Sequence, residues 1–166
     1  NLHTLINLWT GDKFFKKFKL DIFGEVTDLD YYQLIHDKIF KSNNINFKGP
    51  IYKNKIRILS RYDIFIFPSK SENFGLVILE ALASGLYLIL NSKLPWHHLK
   101  KRDYASLINF NKKQLIYTIR KTILKKNNLK NYDYNQSKKL FIKKNYDWKN
   151  ISDIYVKNYR KICNQN

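Results

Sequence analysis

Two glutamates on either side of a glycine mark the segment with the clearest chemical potential. Glu72 and Glu80 are eight residues apart, and Gly75 lies between them. A carboxylate accepts two hydrogen bonds from vicinal hydroxyls, which is how a ribose or hexose diol is bound. Gly75 has no side chain, so a ligand can approach its backbone closely. These residues predict a sugar or nucleotide site. The spacing alone is equally compatible with structural roles for both residues. Glu72 would then be stabilised by the helix dipole, and Glu80 would form a salt bridge.

The polar turn that contains Glu72 predicts the start of a helix. The run PSKSENFGLVILEALASG, from residue 68 to 85, passes from the end of a strand through this turn into a helix expected over 74–84. Gly85 is the expected residue just beyond the helix end. The first amides of a helix have no intrahelical partners, and with the helix dipole they form an anion site. Such a site suits a phosphate or a sugar oxygen.

Short apolar runs alternate with longer amphipathic runs along the chain. Strands are predicted over 18–23, 45–47, 64–67, 86–90 and 106–109. Helices are predicted over 5–15, 31–40, 54–62, 74–84, 112–126, 134–144 and 151–162, with Asp147 as a cap for the last. Strands that are apolar throughout suggest burial on both faces, and the helices between them imply parallel crossovers. The predicted fold is therefore an α/β, Rossmann-like doubly wound parallel sheet with C-terminal helices.

This fold predicts where ligands bind. Doubly wound sheets bind their ligands at the carboxyl ends of the strands. We therefore expect the chemistry to follow Phe23, Phe47, Phe67 and Leu90, the last residues of four predicted strands.

Length and composition exclude several classes of protein. The 166 residues fit one domain, and no apolar stretch approaches the roughly 20 residues of a membrane span. A single cysteine, Cys163, excludes a disulfide scaffold and a four-cysteine metal site. His97 and His98 are adjacent and project differently, so they form a poor metal pair. No metal cofactor is expected. The absence of methionine, including an initiator, suggests a fragment of a longer protein.

The net charge of +18 is unevenly distributed. Residues 1–99 hold thirteen basic and nine acidic side chains, whereas residues 100–166 hold eighteen and four. The 26 lysines against five arginines suggest an AT-rich genome rather than selection for anion binding. We favour solvated helix faces for the C-terminal excess. The alternative is attraction to an anionic membrane surface or to a polyanionic substrate. Nucleic acid is not expected, because arginine is the preferred base-reading residue.

The central segment resembles a family signature. PSKSENFGLVILEALASG is similar to the motif of retaining, nucleotide-sugar-dependent glycosyltransferases of GT-B fold, of the group 1 or family 4 type. LDIFGE, INFKGPIYKNKIRILSRYDIFIFPS and NYDWKNISDIYVKNYRKI resemble flanking parts of the same family. The resemblance implies that residues 1–166 are one donor-binding domain, half of a GT-B fold, with a terminal helix over 147–166. The N-terminal acceptor domain, and an Arg–Lys pair that grips the diphosphate, would lie outside this sequence.

The resemblance also implies roles for individual residues. Glu80 would hold the ribose hydroxyls, and Glu72 would contact the transferred sugar near the reacting centre. The other donor-binding positions are the amides of Asn73, Phe74, Gly75 and Leu76, the base-side turn at Gly49, Pro50 and Ile51, and Gly24 in the same cleft. The donor would be a nucleoside-diphosphate sugar, with no further cofactor. The acceptor would be a glycan or a lipid-linked molecule.

The sequence is compatible with other functions as well. The chain could be a non-catalytic nucleotide-sugar-binding module, or a basic domain that binds a membrane or nucleic acid. A dinucleotide-binding dehydrogenase is disfavoured, because FGEVTD replaces the glycine-rich turn after the first strand. The expected location is the cytoplasm, with peripheral contact at the inner face of the membrane as an extension of the transferase hypothesis.

Overall fold

Strands and helices alternate along the chain in the computed structural model, which describes residues 1–125 and 131–163. The strands are β1 (Leu20–Phe23), β2 (Ile45–Gly49), β3 (Ile64–Phe67), β4 (Tyr87–Asn91) and β5 (Ala105–Ile108). The helices are α1 (Leu2–Thr10), α2 (Leu29–Phe40), α3 (Lys55–Leu59), α4 (Leu76–Ala83), α5 (His97–Lys101), α6 (Lys112–Leu124), α7 (Tyr132–Tyr146) and α8 (Trp148–Cys163). A short 3-10 helix, Lys13–Lys17, follows α1.

All strand pairs are parallel. β1 pairs with β2, and β3, β4 and β5 form a second ladder in that order. Ile64 lies opposite Tyr87, and Leu88 lies opposite Ala105. The predicted parallel α/β class is confirmed, but the sheet is hydrogen-bonded as two ladders rather than one.

Helices cover both faces of the β3–β4–β5 ladder and one face of the β1–β2 ladder. On one face, residues of α1, α2 and α6 share a core with Ile22 of β1 and Ile89 of β4. On the other face, α4, α5 and α7 pack against Leu88 and Leu90. Alternate residues of β4 therefore point into opposite cores, as in a strand buried on both sides. This arrangement confirms the Rossmann-like, doubly wound prediction.

The first predicted helix, over 5–15, is wrong in its second half. α1 ends at Thr10, and Asp12 then accepts a hydrogen bond from the backbone N–H of Phe14 at 2.8 Å, which starts the 3-10 helix. This turn places Phe15 against Trp9, with ring centroids 4.8 Å apart. The apolar residues after Thr10 therefore reach the core because the chain turns into the 3-10 helix, and not because α1 continues. The first strand begins at Leu20 rather than at residue 18.

The burial of β3 also differs from expectation. Its sequence IFIF predicts a strand buried on both faces, yet all four residues are only partly buried, whereas β4 is buried throughout. β3 pairs with β4 on one side and lies at the border of its ladder on the other. The exposed border leaves the side chains of β3 partly accessible.

The sequence pattern does not predict α5. Its five residues are too few to show helical periodicity. Leu99 at its centre is wholly buried in the core beneath β4 and β5. This burial, together with the turn at Pro95 and Trp96, stabilises a helix that the local pattern does not reveal.

Two helices complete the chain. α7 packs on α4 through Phe141, and α8 begins where Asp147 accepts a hydrogen bond from the N–H of Lys149 at 2.9 Å. The predicted cap at Asp147 is confirmed. Residue 126 of one predicted helix and residues 164–166 of the terminal segment lie outside the described residues. Within the described ranges, every helix is too short or too polar to cross a bilayer.

Candidate functional site

The carboxyl ends of the strands are tied together by hydrogen bonds from the turns that follow them. The N–H of Gly24, after β1, donates to the carbonyl of Gly49 at the end of β2, at 3.1 Å. Asn91 Nδ2, at the end of β4, donates to the carbonyl of Pro68 after β3, at 3.2 Å. These contacts gather the turns at one edge of the domain, which is the edge where the fold predicts a ligand.

Gly75 gives the segment after β3 its shape. The sequence predicts a helix from residue 74, but α4 begins at Leu76 because Gly75 has a left-handed backbone, with φ of 72°. The Trp96 side chain packs against Gly75, and a Cβ at residue 75 would lie 2.7 Å from a ring carbon of Trp96. Both the backbone and the neighbouring ring therefore require glycine here.

The loop before Gly75 presents polar groups to solvent. Glu72, Asn73 and Phe74 are exposed, and the Ser69 hydroxyl donates to the carbonyl of Ser71 at 2.6 Å. Glu72 Oε1 accepts a hydrogen bond from the N–H of Asn73 at 3.1 Å. Of the predicted donor-binding amides, that of Asn73 is therefore already engaged by the neighbouring carboxylate. The amide of Leu76 opens α4, where helices have no internal partner for their N–H groups.

Glu80 lies on α4 and forms an ion pair that sequence reasoning missed. Lys55 Nζ lies 2.9 Å from Glu80 Oε1, and the two side chains are 42% and 31% exposed. Lys55 is the first residue of α3, which follows the turn at Gly49, Pro50 and Ile51. The pair therefore connects the base-side turn to the helix that carries Glu80. A basic residue opening a helix just after this turn is the one signal that could have revealed it.

The predicted site residues fall into two groups. Gly24 and Gly49 meet through their backbones, and Lys55 joins the Gly49 turn to Glu80. Pro50 is exposed, and Ile51 packs against the core beneath α4. Residues 72–76 form the second group, directly before α4. No hydrogen bond or ion pair joins Glu72 to Glu80 in the described part of the chain, and each carboxylate has a different partner, Asn73 for Glu72 and Lys55 for Glu80.

A comparison with known protein families identifies the family of the chain. A family model described as glycosyl transferases group 1 matches residues 1–139, which is more than four-fifths of the chain. The chain belongs to the glycosyl transferases group 1 family. The matched range includes the five strands described above and the residues predicted for the site. No curated protein sequence matches the chain.

An aromatic cluster supports the loop of the glycosyltransferase domain from the side of the C-terminal helices. Tyr146, at the end of α7, packs its ring edge-on against Phe74, with centroids 6.5 Å apart, and lies 5.9 Å from the Trp96 ring. Its hydroxyl lies 2.8 Å from His98 Nε2. Burial, with the nearby charges of Arg102 and His97, lowers the pKa of His98, which favours the neutral ring. The cluster fixes Gly75 and Phe74 relative to α7.

Two grooves of the glycosyltransferase domain lie away from the two glutamates. One is formed by α8 alone, and the other lies between α4, α7 and the start of α8; neither includes Glu72 or Glu80. Among residues 1–125 and 131–163, no three His, Cys, Asp or Glu side chains are grouped as metal ligands.

Proposed function

We propose that this chain is the donor-binding half of a GT-B glycosyltransferase. It would bind a nucleoside-diphosphate sugar and transfer the sugar, with retention, to a glycan or a lipid-linked acceptor. One observation supports the proposal best. Glu80 is held by an ion pair with Lys55, and it lies on α4, the helix that begins directly after Gly75. The carboxylate proposed to bind the diol therefore lies about one helical turn from the N-terminus of α4, because four residues separate Leu76 from Glu80.

Glu80 is the proposed ligand of the ribose. The ion pair with Lys55 occupies Oε1, and among the described residues no other side chain hydrogen bonds to this carboxylate. Oε2 is thus free to accept a hydrogen bond from one ribose hydroxyl. The second hydroxyl would share Oε1 with Lys55, since a carboxylate oxygen has two lone pairs.

The N-terminus of α4 is the proposed diphosphate contact. The leaving nucleoside diphosphate gains negative charge as the glycosidic bond breaks. Free N–H groups and the helix dipole at Leu76 would stabilise that charge more in the transition state than in the bound donor. This stabilisation needs no metal ion at the helix start.

Glu72 is the proposed residue closest to the transferred sugar. It is exposed at the tip of the loop, and its hydrogen bond to the N–H of Asn73 orients one oxygen. The other oxygen is available for a sugar hydroxyl near the reacting carbon. The retaining outcome rests on the family resemblance.

A comparison of two ligands distinguishes the two glutamates. We expect Glu80→Gln to weaken the binding of a free nucleoside diphosphate and of its sugar conjugate by the same factor, because both ligands carry the ribose. Glu72→Gln should weaken only the sugar conjugate. Isothermal titration calorimetry with both ligands measures these ratios. Equal losses for both ligands in both variants, with unchanged melting temperatures, would contradict the assigned roles.

We extend the proposal to acceptors at a membrane surface. α8 has no buried residue, and Trp148, Tyr155 and Ile162 expose more than half of their side-chain area on one side of this basic helix. An exposed apolar face with Trp, Tyr and Lys is typical of helices that lie in the membrane interface. Co-sedimentation with phosphatidylglycerol vesicles should capture the wild type but not a Trp148→Ser/Ile162→Ser variant. Equal recovery of both would exclude this contact.

A further inference from the structure

The loop before α4 is supported from outside by aromatic rings. In the described part of the chain, the hydrogen bonds of residues 69–74 are formed within that segment. These bonds shape the loop but do not orient it toward the rest of the domain. Phe74 packs against the ring of Tyr146, and Gly75 lies against the ring of Trp96. The direction of the loop therefore depends on where those two rings lie.

Tyr146 contacts both ends of this support. Its ring centroid lies 6.5 Å from that of Phe74 and 5.9 Å from that of Trp96. The ring also packs against Phe141 of the same helix, with centroids 5.9 Å apart. Its hydroxyl lies 2.8 Å from His98 Nε2, so the polar end of the side chain is held as well. A ring that is packed on its sides and held at its hydroxyl has few accessible rotamers, and it is a rigid support.

The helix that carries Tyr146 is firmly attached to the domain. Phe141 of α7 is buried in the core that α4 and β4 share. Lys138 of the same helix donates to the carbonyl of Gly85, just beyond α4, at 2.8 Å. Tyr146 lies after residue 139, the last residue that the family model matches. The matched range therefore does not include the side chain on which the loop rests.

The two glutamates of the candidate site are supported by different parts of the domain. Glu80 lies on α4 and is held by the ion pair with Lys55 of α3. Glu72 lies in the loop, two residues before Phe74, and α7 supports that loop through the ring of Tyr146. A change at Tyr146 should therefore displace Glu72 and leave Glu80 in place.

We infer that Tyr146 is a positioning residue of the donor site, which orients the loop that carries Glu72. This role rests on the proposed function, in which Glu72 contacts the transferred sugar and Glu80 binds the ribose. Tyr146 does not touch the donor in this arrangement and acts through Phe74. Binding of the sugar part of a donor should depend on Tyr146, whereas binding of the ribose should not.

The variants that test this role are Tyr146→Leu, the conservative Tyr146→Phe, and the control Tyr104→Leu. Tyr104 also connects to α7, because its hydroxyl donates to Ser137 Oγ at 2.9 Å and its ring packs against Phe141. No hydrogen bond or ring contact joins Tyr104 to residues 69–75 in the described part of the chain. Its loss should lower the melting temperature without displacing the loop.

Calorimetric titration uses the glucose conjugates of uridine, guanosine and adenosine diphosphate, and the matching nucleoside monophosphates. For the conjugate that binds best, Tyr146→Leu should lower the affinity by about tenfold, as expected when a hydrogen bond to a charged group is lost. Its affinity for the matching monophosphate, which has the ribose but no sugar, should stay within about twofold of the wild type. Tyr146→Phe keeps the ring and should lose less, and Tyr104→Leu should change neither affinity.

A second measurement needs no ligand. Backbone NMR order parameters of Asn73, Phe74 and Gly75 should fall in Tyr146→Leu, toward the values below about 0.6 that mark flexible backbone on the picosecond to nanosecond timescale. Those of Glu80 should not change. Tyr104→Leu should keep the wild-type values throughout the loop.

A third measurement removes the same ring contact from the loop side. Phe74 is 49% exposed, so Phe74→Leu changes the contact without opening the core, and it also serves if Tyr146→Leu does not fold. Phe74→Leu should lower the affinity for the conjugate and spare that for the monophosphate. Because both changes remove one contact, the double variant should lose no more affinity than the weaker-binding single variant.

Several results would overturn the role of Tyr146. They are unchanged order parameters in Tyr146→Leu, additive losses in the double variant, and losses in Tyr104→Leu as large as those in Tyr146→Leu. Equal losses for the conjugate and the monophosphate would assign Tyr146 a merely structural role. Failure of the folded wild type to bind any of the nucleotides would refute the proposed function together with this role. Binding with an unchanged ratio of the two affinities in Tyr146→Leu would refute the role of Tyr146 alone.

Discussion

Lys55 Nζ lies 2.9 Å from Glu80 Oε1 and joins the first residue of α3 to the middle of α4. The pair links two separate parts of the carboxyl edge, the turn at Gly49 and the helix that follows Gly75. The position of the Glu80 carboxylate is therefore set by a neighbouring helix and not by α4 alone. A ligand that binds Glu80 would also meet the positive charge of Lys55.

The ion pair leads to a prediction about binding. Glu80→Gln should weaken nucleoside-diphosphate binding by about tenfold to a hundredfold, which corresponds to about 1.4–2.8 kcal/mol. Lys55→Met should weaken this binding less. The partly exposed ion pair stabilises the bound position of Glu80 by only about 0.2–1 kcal/mol. Calorimetric titration gives both values, and Lys53→Met, an exposed lysine of the same turn, is the control. A loss for Lys53→Met as large as that for Lys55→Met would show a general charge effect instead.

Gly75 leads to a prediction about stability. Gly75→Ala should destabilise the domain by about 1–3 kcal/mol, because alanine disfavours φ of 72° and its Cβ would contact Trp96. Gly49→Ala is the matched control, since Gly49 has φ of 70° but a Cβ at this residue would have no neighbouring atom within 4 Å. Gly49→Ala should lower the free energy of unfolding only by the cost of the left-handed backbone conformation, about 1 kcal/mol. Urea denaturation measures the two losses of stability. In a Trp96→Leu background the losses for Gly75→Ala and Gly49→Ala should become more similar, because the contact with the Trp96 ring is removed. Equal losses in the original background would show that Trp96 does not constrain residue 75.

Lys138 leads to a prediction about pH. It is wholly buried on α7, and its ammonium donates to the carbonyls of Gly85 and Leu86, at 2.8 and 3.1 Å. Burial lowers its pKa from 10.5 to about 8. The unfolded chain therefore holds this proton up to a higher pH than the folded chain, and unfolding takes up a proton between pH 8 and 10.5. The free energy of unfolding should rise with pH in that window.

The matched variants for this prediction are Lys138→Met and Lys139→Met. Lys139 is the exposed neighbour on the same helix, so its variant should keep the rise. Lys138→Met should lose it. Urea denaturation from about pH 8 to about pH 10 measures the slopes. The range stops there because burial and the hydrogen bond to Asp21 raise the pKa of Tyr62 to about 12, which reduces stability at higher pH. If the free energy of unfolding of Lys138→Met still rises with pH, the rise comes from another titratable group.

Much of the fold follows from local pattern. The apolar run before Pro68 and the apolar run over 86–90 predict β3 and β4, because a strand within a parallel sheet has few polar residues. Glu72, Gly75 and Glu80 follow from the one segment where strand, turn and helix have sharp sequence boundaries. These features depend on neighbours close in the chain, and a sequence displays such neighbours directly.

Other features depend on contacts between distant residues. Lys55 meets Glu80 across 25 positions. Its place at the start of α3 marks Lys55 as a candidate cation, but its partner is determined by the packing of α3 against α4. Trp96 constrains Gly75 from another loop, and α5 is stabilised by the burial of Leu99 rather than by its own periodicity. The division into two ladders is likewise invisible in the strand sequences, because strand order is a property of the assembled sheet.

The central claim is that the edge formed by Gly49, Gly75 and Glu80 binds a nucleoside-diphosphate sugar. The most direct measurement is isothermal titration of the chain with a panel of uridine, guanosine and adenosine diphosphate sugars. We predict that at least one of them binds, weakly, with a dissociation constant of about 10 μM to 1 mM, and that Glu80→Gln reduces its affinity. Binding of none of the panel by protein that circular dichroism and a cooperative melt show to be folded would contradict the claim.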